Sequence, residues 1–236
     1  MKVFVINLDK DKARMSFVDA QLRAQGINDE RVSGVNAKEM PKAELLKCVN
    51  LLRWWCAVGR PIVPAEIGVA LSHASIYKKM KSDEAVCVFE DDVFIDKEFK
   101  NRLAQVSAVI DVHKPQVYLF SDHQRHFTTL SGMIRSNDGI CADGYVITQR
   151  AAAFVLKDNF PMKVPCDHWF RWAKAGHIEL YHILPTCVRQ NQAQFGTSTQ
   201  ANADDVSKYP PLKWIMHKSK RAIGKSIDKI LLGLGL

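Results

Sequence analysis

An α/β fold with a mostly parallel central sheet is the class this sequence predicts, on three observations. Short apolar runs alternate with stretches of helical period as far as about residue 190. The run Ala85-Val86-Cys87-Val88-Phe89 is apolar on both faces, as a central parallel strand must be. It exits into three consecutive carboxylates, Glu90-Asp91-Asp92, at the kind of strand end where open α/β sheets bind ligands. A chain of 236 residues with 47% hydrophobic content is enough for one such domain with a small appendage.

The elements follow in order. Lys2 to Leu8 is a short apolar strand. Ala13 to Gln25 places Met15, Val18 and Leu22 on one helical face and stops at Gly26. Arg31 to Asn36 is a second strand, and Pro41 to Val58 reads as one helix carrying Trp54 and Trp55, core or interface bulk more than a sugar platform. Gly59, Pro61 and Pro64 break the chain before a helix from Ala65 to Lys81, whose buried stripe is Ile67, Ala70, Leu71 and Ala74. Glu66 and His73 lie two turns apart at the edge of that stripe. After the carboxylates and Val93-Phe94-Ile95, Lys97 to Val112 is helical, and Gln116 to Phe120 is a strand ending at Ser121-Asp122. Gly144 to Thr148 is a strand leading into the helix Arg150 to Lys157. Pro165-Cys166-Asp167 opens the segment His168 to Ala175 with Asp167 as N-cap, Ile178 to Leu184 is the last strand, and Arg189 to Gln200 is a loop.

Charge is uneven along the chain. Of the net +8, a surplus of +5 sits in the last 24 residues, where Lys213, Lys218, Lys220, Arg221, Lys225 and Lys229 face only Asp228. Ile223, Ile227, Ile230 and Leu231 recur there at helical spacing, so the expected domains are a body over 1–208 and a basic amphipathic C-terminal helix over 209–236. That helix suits either an anionic membrane interface or docking on the body. With no secretory signal and no run long enough to span a bilayer, the expected place is the cytoplasm, peripheral at the cytoplasmic face of the inner membrane. The six cysteines are widely spaced, without a C-x-x-C pair, and read as small core residues in a reducing compartment.

Three adjacent carboxylates repel one another unless a cation or strong donors offset the repulsion. Hard oxygen ligands suit Mg²⁺ or Mn²⁺, ions that bridge carboxylates to a diphosphate. The structural alternative is a cap or solvated turn, with Asp92 or Asp96 beginning the next helix. No P-loop, G-x-G-x-x-G, G-x-S-x-G or H-E-x-x-H motif is present, which removes support for P-loop phosphate binding, acyl hydrolysis and zinc proteolysis.

The motifs Ile6-Asn7-Leu8 with Arg14, Val35-Asn36, Glu66-Ile67-Gly68 with Leu71-Ser72-His73, Phe89-Glu90-Asp91-Asp92-Val93, Gly144 to Thr148, Pro165-Cys166-Asp167 and Pro185 to Gln190 occur in an order that resembles glycosyltransferase family 25. That family holds bacterial lipooligosaccharide galactosyltransferases and collagen galactosyltransferase domains. The resemblance implies a GT-A-type Rossmann-like fold, a nucleotide-sugar donor, commonly UDP-galactose, and inversion at the anomeric carbon. It implies Glu90 and Asp92 as ligands of a divalent cation, Mn or Mg, and Asp91 as reaching the donor's ribose or sugar. Asn7, Leu8, Arg14, Val35 and Asn36 fall at the nucleotide pocket, and Glu66 and His73 become donor-site or positioning residues. An inverting transfer needs a base for the acceptor hydroxyl. Asp167 is the first candidate, Asp122 at a strand exit the second, and Asp143, where relatives carry a small residue, a third. Ala65 replaces a usual Gly, and Met40 to Pro64 has little resemblance, so the acceptor is the least determined part.

The leading expectation is an inverting, metal-dependent transfer of a hexose from UDP to a lipooligosaccharide or lipopolysaccharide core sugar, with a glycolipid or oligosaccharide acceptor and an anionic membrane as partners. A nucleotide-sugar hydrolase or nucleotidyltransferase could use the same carboxylates. A nucleic-acid-binding module is disfavoured because the charge is confined to the tail and no binding motif is visible.

Overall fold

The computed structural model describes residues 1–121 and 130–195. Its elements in chain order are β1 (Lys2–Asn7), α1 (Lys12–Ala24), β2 (Glu30–Ser33), α2 (Lys42–Lys47), α3 (Leu51–Val58), α4 (Pro64–Tyr77), β3 (Ala85–Glu90), β4 (Val93–Ile95), α5 (Phe99–Val109), β5 (Gln116–Leu119), β6 (Gly132–Ser136), β7 (Gly144–Thr148), α6 (Gln149–Asn159), α7 (Trp169–Lys174), β8 (Glu179–Leu184), β9 (Val188–Gln190) and α8 (Gln192–Phe195). They fall into two compact units. The larger comprises Met1–Val35, Leu71–Asp158 and, among the described residues, the stretch from Cys166 to Phe195, and the smaller includes Asn36–Ala70 and Asn159–Pro165.

The larger unit is built on a seven-stranded sheet of order β2-β1-β3-β7-β5-β8-β6. β1 pairs in parallel with both β2 and β3, and β5 with β8, while β7 and β6 run against their neighbours. Five strands therefore point one way, the mostly parallel α/β arrangement expected. β3 and β7 sit in the middle because their apolar residues can be covered on both faces; Val86, Cys87, Val88, Phe89 and all of β7 are buried. Val18 and Leu22 of α1 and Phe99 and Val106 of α5 pack with Val3, Val5, Phe89, Phe120 and Val146 in one core. Phe89, Phe99 and Phe120 meet edge to face at about 5 Å between ring centres. Gly144 permits the closest approach: a Cβ there would lie 2.8 Å from Phe89 Cε1 and 3.0 Å from Val188 Cγ1.

Several boundaries differ from the sequence expectation. The helix expected over Pro41 to Val58 is two, because Val49 bridges Met162 and Asn50 caps α3, accepting from Arg53 N at 3.1 Å. Trp54 is buried with its indole donating to Arg60 O, which supports the bulk reading of that residue. α4 ends at Tyr77 and α5 spans only Phe99–Val109. β6 was not anticipated: it is an edge strand whose Gly132 and Arg135 are exposed, so it lacks an apolar signature. The expected loop from Arg189 instead completes β9, which pairs antiparallel with β4 in a two-stranded sheet, and then turns into α8. Among the described residues, no helix is long and apolar enough to cross a membrane. The basic segment over 209–236, the boundary at 208 and Asp122 lie outside the described residues.

Candidate active site

β3 ends at Glu90, and Asp91 and Asp92 form the turn into β4. The helix caps considered for Asp92 and Asp96 do not materialise: α5 starts only at Phe99 with Glu98 at its N-cap, and Asp96 Oδ1 accepts from Glu98 N. Backbone bonds pin the acidic turn from both sides, Glu90 N donating to Asp143 O at 3.1 Å and Asn191 N to Asp92 O at 2.7 Å. Since the turn begins at Asp91, the strand's alternation lapses there, and Asp91 and Asp92 approach the same guanidinium. Arg14 Nη1 lies 3.5 Å from Asp91 Oδ1 and 4.0 Å from Asp92 Oδ2.

The three carboxylates have different surroundings. Asp91 accepts a 2.6 Å bond from Asn7 Nδ2, and burial still raises its pKa although Asn7 and Arg14 oppose the rise. Asp92 has only distant help. Burial, then repulsion from Glu90, Asp143 and Asp91, raises it to about 7, and its buried Oδ1 has no hydrogen-bond partner among the described residues. Glu90 faces His73, whose Nε2 is 3.5 Å from Oε1, an approach rather than a closed bond. Behind His73, Nδ1 lies 2.6 Å from Tyr145 Oη, and Tyr145 Oη 2.5 Å from Tyr77 Oη. Both tyrosines are driven well above their usual pKa by burial and stay neutral hydroxyls. Tyr145 and Tyr77 were not singled out from sequence; a Tyr four residues after His73 on one helix was the available signal.

Asn7 and Arg14 join the acidic turn as expected. Arg31 donates to Asn7 Oδ1 at 2.9 Å and to Asn7 O at 3.1 Å, and also meets Asp9. Arg14 Nη2 donates to Phe195 O at 2.7 Å, and its guanidinium sits 5.4 Å from that ring, so α8 helps to hold it. A groove of about 600 Å³ opens beside Asn7, bounded by Asp9, Lys12, Ser16, Asp29 and Arg31. Leu8 directly follows β1, with Gly34 packed against it, and Val35 N donates to Ser72 Oγ, one residue before His73. Asp143 is 3% exposed at the head of β7 and acts electrostatically on Asp92. Asp167 is half-buried in a turn; His168, not Asp167, occupies the N-cap of α7, which corrects the capping alternative. In the smaller unit, Asn36 donates to Glu39 at 2.6 Å, and Glu66 takes a two-pronged contact from Arg60 plus Val63 N at 3.0 Å.

Among the described residues, no three His, Cys, Asp or Glu side chains form a cage able to hold a metal alone. The donor set does suit an ion completed by substrate phosphates, since Mg²⁺-type sites use one or two carboxylates. The unpartnered Asp92 oxygen, repelled by the neighbouring Glu90, Asp143 and Asp91 carboxylates, is the structural sign of that fit.

The family model described as glycosyltransferase family 25 (LPS biosynthesis protein) matches residues 1–170. Procollagen galactosyltransferase 2 of Homo sapiens is 26% identical over 184 residues, covering 71% of this chain and 29% of that protein. The Mus musculus protein of the same name is 30% identical over 185 residues with the same coverage. A procollagen lysyl hydroxylase and glycosyltransferase of Acanthamoeba polyphaga mimivirus is 23% identical over 233 residues, covering 84% of this chain and 26% of that protein. The chain thus spans less than a third of the length of these relatives.

Proposed function

This chain belongs to glycosyltransferase family 25, and we propose that it transfers a hexose, galactose from UDP-galactose, with inversion, onto a core sugar of a lipooligosaccharide or lipopolysaccharide. The observation that carries the reading is the acidic turn at the exit of β3, with one carboxylate tied to Asn7 and Arg14 and its neighbour, Asp92, holding an unpartnered oxygen. Galactose is favoured because two relatives are named galactosyltransferases.

In this reading Glu90 and Asp92 would hold a divalent cation, Mn or Mg, which supplies charge neutralisation for the departing diphosphate. The remaining work falls to the chain's own groups. Arg14, fixed by Phe195 O, offers a positive charge at the diphosphate end, and Asn7 holds Asp91 where it can reach the donor's ribose. The groove beside Asn7 is of a size to take a nucleoside. Asp167, with Asp122 and Asp143 as the alternatives, accepts the proton of the acceptor hydroxyl as that oxygen attacks opposite the leaving UDP. The basic C-terminal segment would bring the enzyme to the anionic cytoplasmic face of the inner membrane, where a glycolipid acceptor is presented.

The test is a panel of UDP-hexoses with saccharide acceptors, with and without Mn²⁺, read by mass spectrometry for a one-hexose gain. Transfer of galactose supports the reading. Donor cleavage with no acceptor product under every condition replaces it with hydrolysis. Anionic liposome sedimentation of the full chain against a form ending at Pro211 tests the membrane role, and equal binding removes it.

A further inference from the structure

The chain Glu90, His73, Tyr145, Tyr77 links the acidic turn to the buried middle of the larger unit through contacts of 3.5, 2.6 and 2.5 Å. Its hydrogens are few. Each tyrosine hydroxyl has one proton, and a neutral imidazole has one N–H and one accepting nitrogen. If Nε2–H faces the Glu90 carboxylate, Nδ1 must accept from Tyr145, and Tyr145, its proton spent, must accept from Tyr77. One orientation of all three groups satisfies this order. The opposite tautomer turns a bare nitrogen lone pair toward a carboxylate and reverses both hydroxyls.

Packing keeps the chain in place. His73 is 1% and Tyr145 0% exposed, the rings of His73 and Tyr145 are 5.6 Å apart, and Tyr145 rests 5.2 Å from Trp169, whose indole donates to Cys141 O at 2.6 Å. Water therefore has little room to replace a missing hydroxyl.

We propose that Tyr145 and Tyr77 are positioning residues that fix His73 as the Nε2–H tautomer, so that it donates to Glu90 and holds that carboxylate aimed at the donor site. The inference rests on the glycosyltransferase reading only for its catalytic consequence; the tautomer is a property of the resting protein. The 3.5 Å approach shortens when the site fills, as catalytic hydrogen bonds commonly do. Tyr145→Phe keeps the ring and removes the link, and Tyr77→Phe removes the hydroxyl that donates to it.

The experiment is nitrogen NMR of ¹⁵N-histidine-labelled full chain, with His73 assigned by the loss of its signals in His73→Gln, alongside kcat and KM for the donor. The wild type is expected to show a protonated Nε2 and a bare Nδ1. Tyr145→Phe is expected to mix the tautomers and to lower kcat on the order of tenfold, the usual scale for a group that orients a site ligand. Tyr77→Phe should show a smaller change in the same direction. A wild-type His73 with its proton on Nδ1, or with both nitrogens protonated, overturns the proposal, as does a Tyr145→Phe protein whose His73 spectrum matches the wild type. Failure of the wild type to use any nucleotide sugar would sink the functional reading alone, because the spectrum is read without substrate.

Discussion

Asn7 reaches Asp91 across 84 positions of sequence, its side-chain nitrogen donating to Oδ2 at 2.6 Å where β1 and β3 end side by side. The same amide accepts from Arg31 through its oxygen, so one buried side chain satisfies an anion and a cation at once. Asn7→Ala removes both side-chain bonds, leaving Arg31 its contacts with Asp9 and Asn7 O and Asp91 only Arg14, and should cost about 1 to 3 kcal/mol of stability, the scale for a buried polar partner left unmet. Urea unfolding would measure it; a loss under about 0.3 kcal/mol would show that Arg14 alone holds Asp91.

Asp92 is the carboxylate with least support, so its removal should relieve the fold and disable the site. Asp92→Asn is expected to be at least as stable as the wild type at pH 8 while losing on the order of a hundredfold or more in turnover. A variant with near-normal turnover would take Asp92 out of the donor site.

A pH dependence of stability follows from the same residue. Its pKa, 3.8 for an unperturbed side chain, is about 7 in the fold, so between roughly pH 4 and pH 7 the folded protein keeps a proton that the unfolded chain has released. Stability from this group is complete below the unfolded value and is lost as pH rises through about 7, a swing on the order of 4 kcal/mol at most. Metal-free protein unfolded at pH 5 and pH 8 should show the decline, and Asp92→Asn should flatten it. Equal slopes in the two proteins would assign the pH effect elsewhere.

Asp167 lies before the N-cap of α7, so Asp167→Asn should leave that helix in place. If Asp167 takes the acceptor's proton, kcat falls about 10² to 10⁴-fold with little change in donor KM. An unchanged kcat passes the role to Asp122 or Asp143.

Gly144→Ala puts a methyl group 2.8 Å from the Phe89 ring, and overpacking of this kind costs about 1 to 3 kcal/mol. Because β7 pairs with β3 directly before the acidic turn, turnover should fall with it. Full stability in this variant would show that the Phe89 ring yields freely.

The acidic turn was readable in the sequence because its chemistry is contiguous: an apolar strand and three carboxylates in a row. Asn7 and Arg14 were readable only through family likeness, since nothing local in Ile6-Asn7-Leu8 says which carboxylate it meets. The Tyr145 link to His73 is tertiary, 72 positions apart, and β7 reads simply as a buried strand. The same logic governs the fold. β3 and β7 announce themselves because they are apolar throughout, whereas β6 and β9 form by pairing with particular neighbours and carry no pattern of their own. The division of the expected helix at Val49 likewise depends on Met162, far along the chain.

The strand order also sets a timetable for the polypeptide as it leaves the ribosome. β2 and β3 flank β1 and can zip onto it early, whereas β5 finds its partners only in β7 and β8, both still to be synthesised when it emerges. The nascent chain must therefore carry Val117, Tyr118 and Leu119 unpaired for a time. A translational pause after β5, or a shortage of holding chaperones, would fall hardest on that strand.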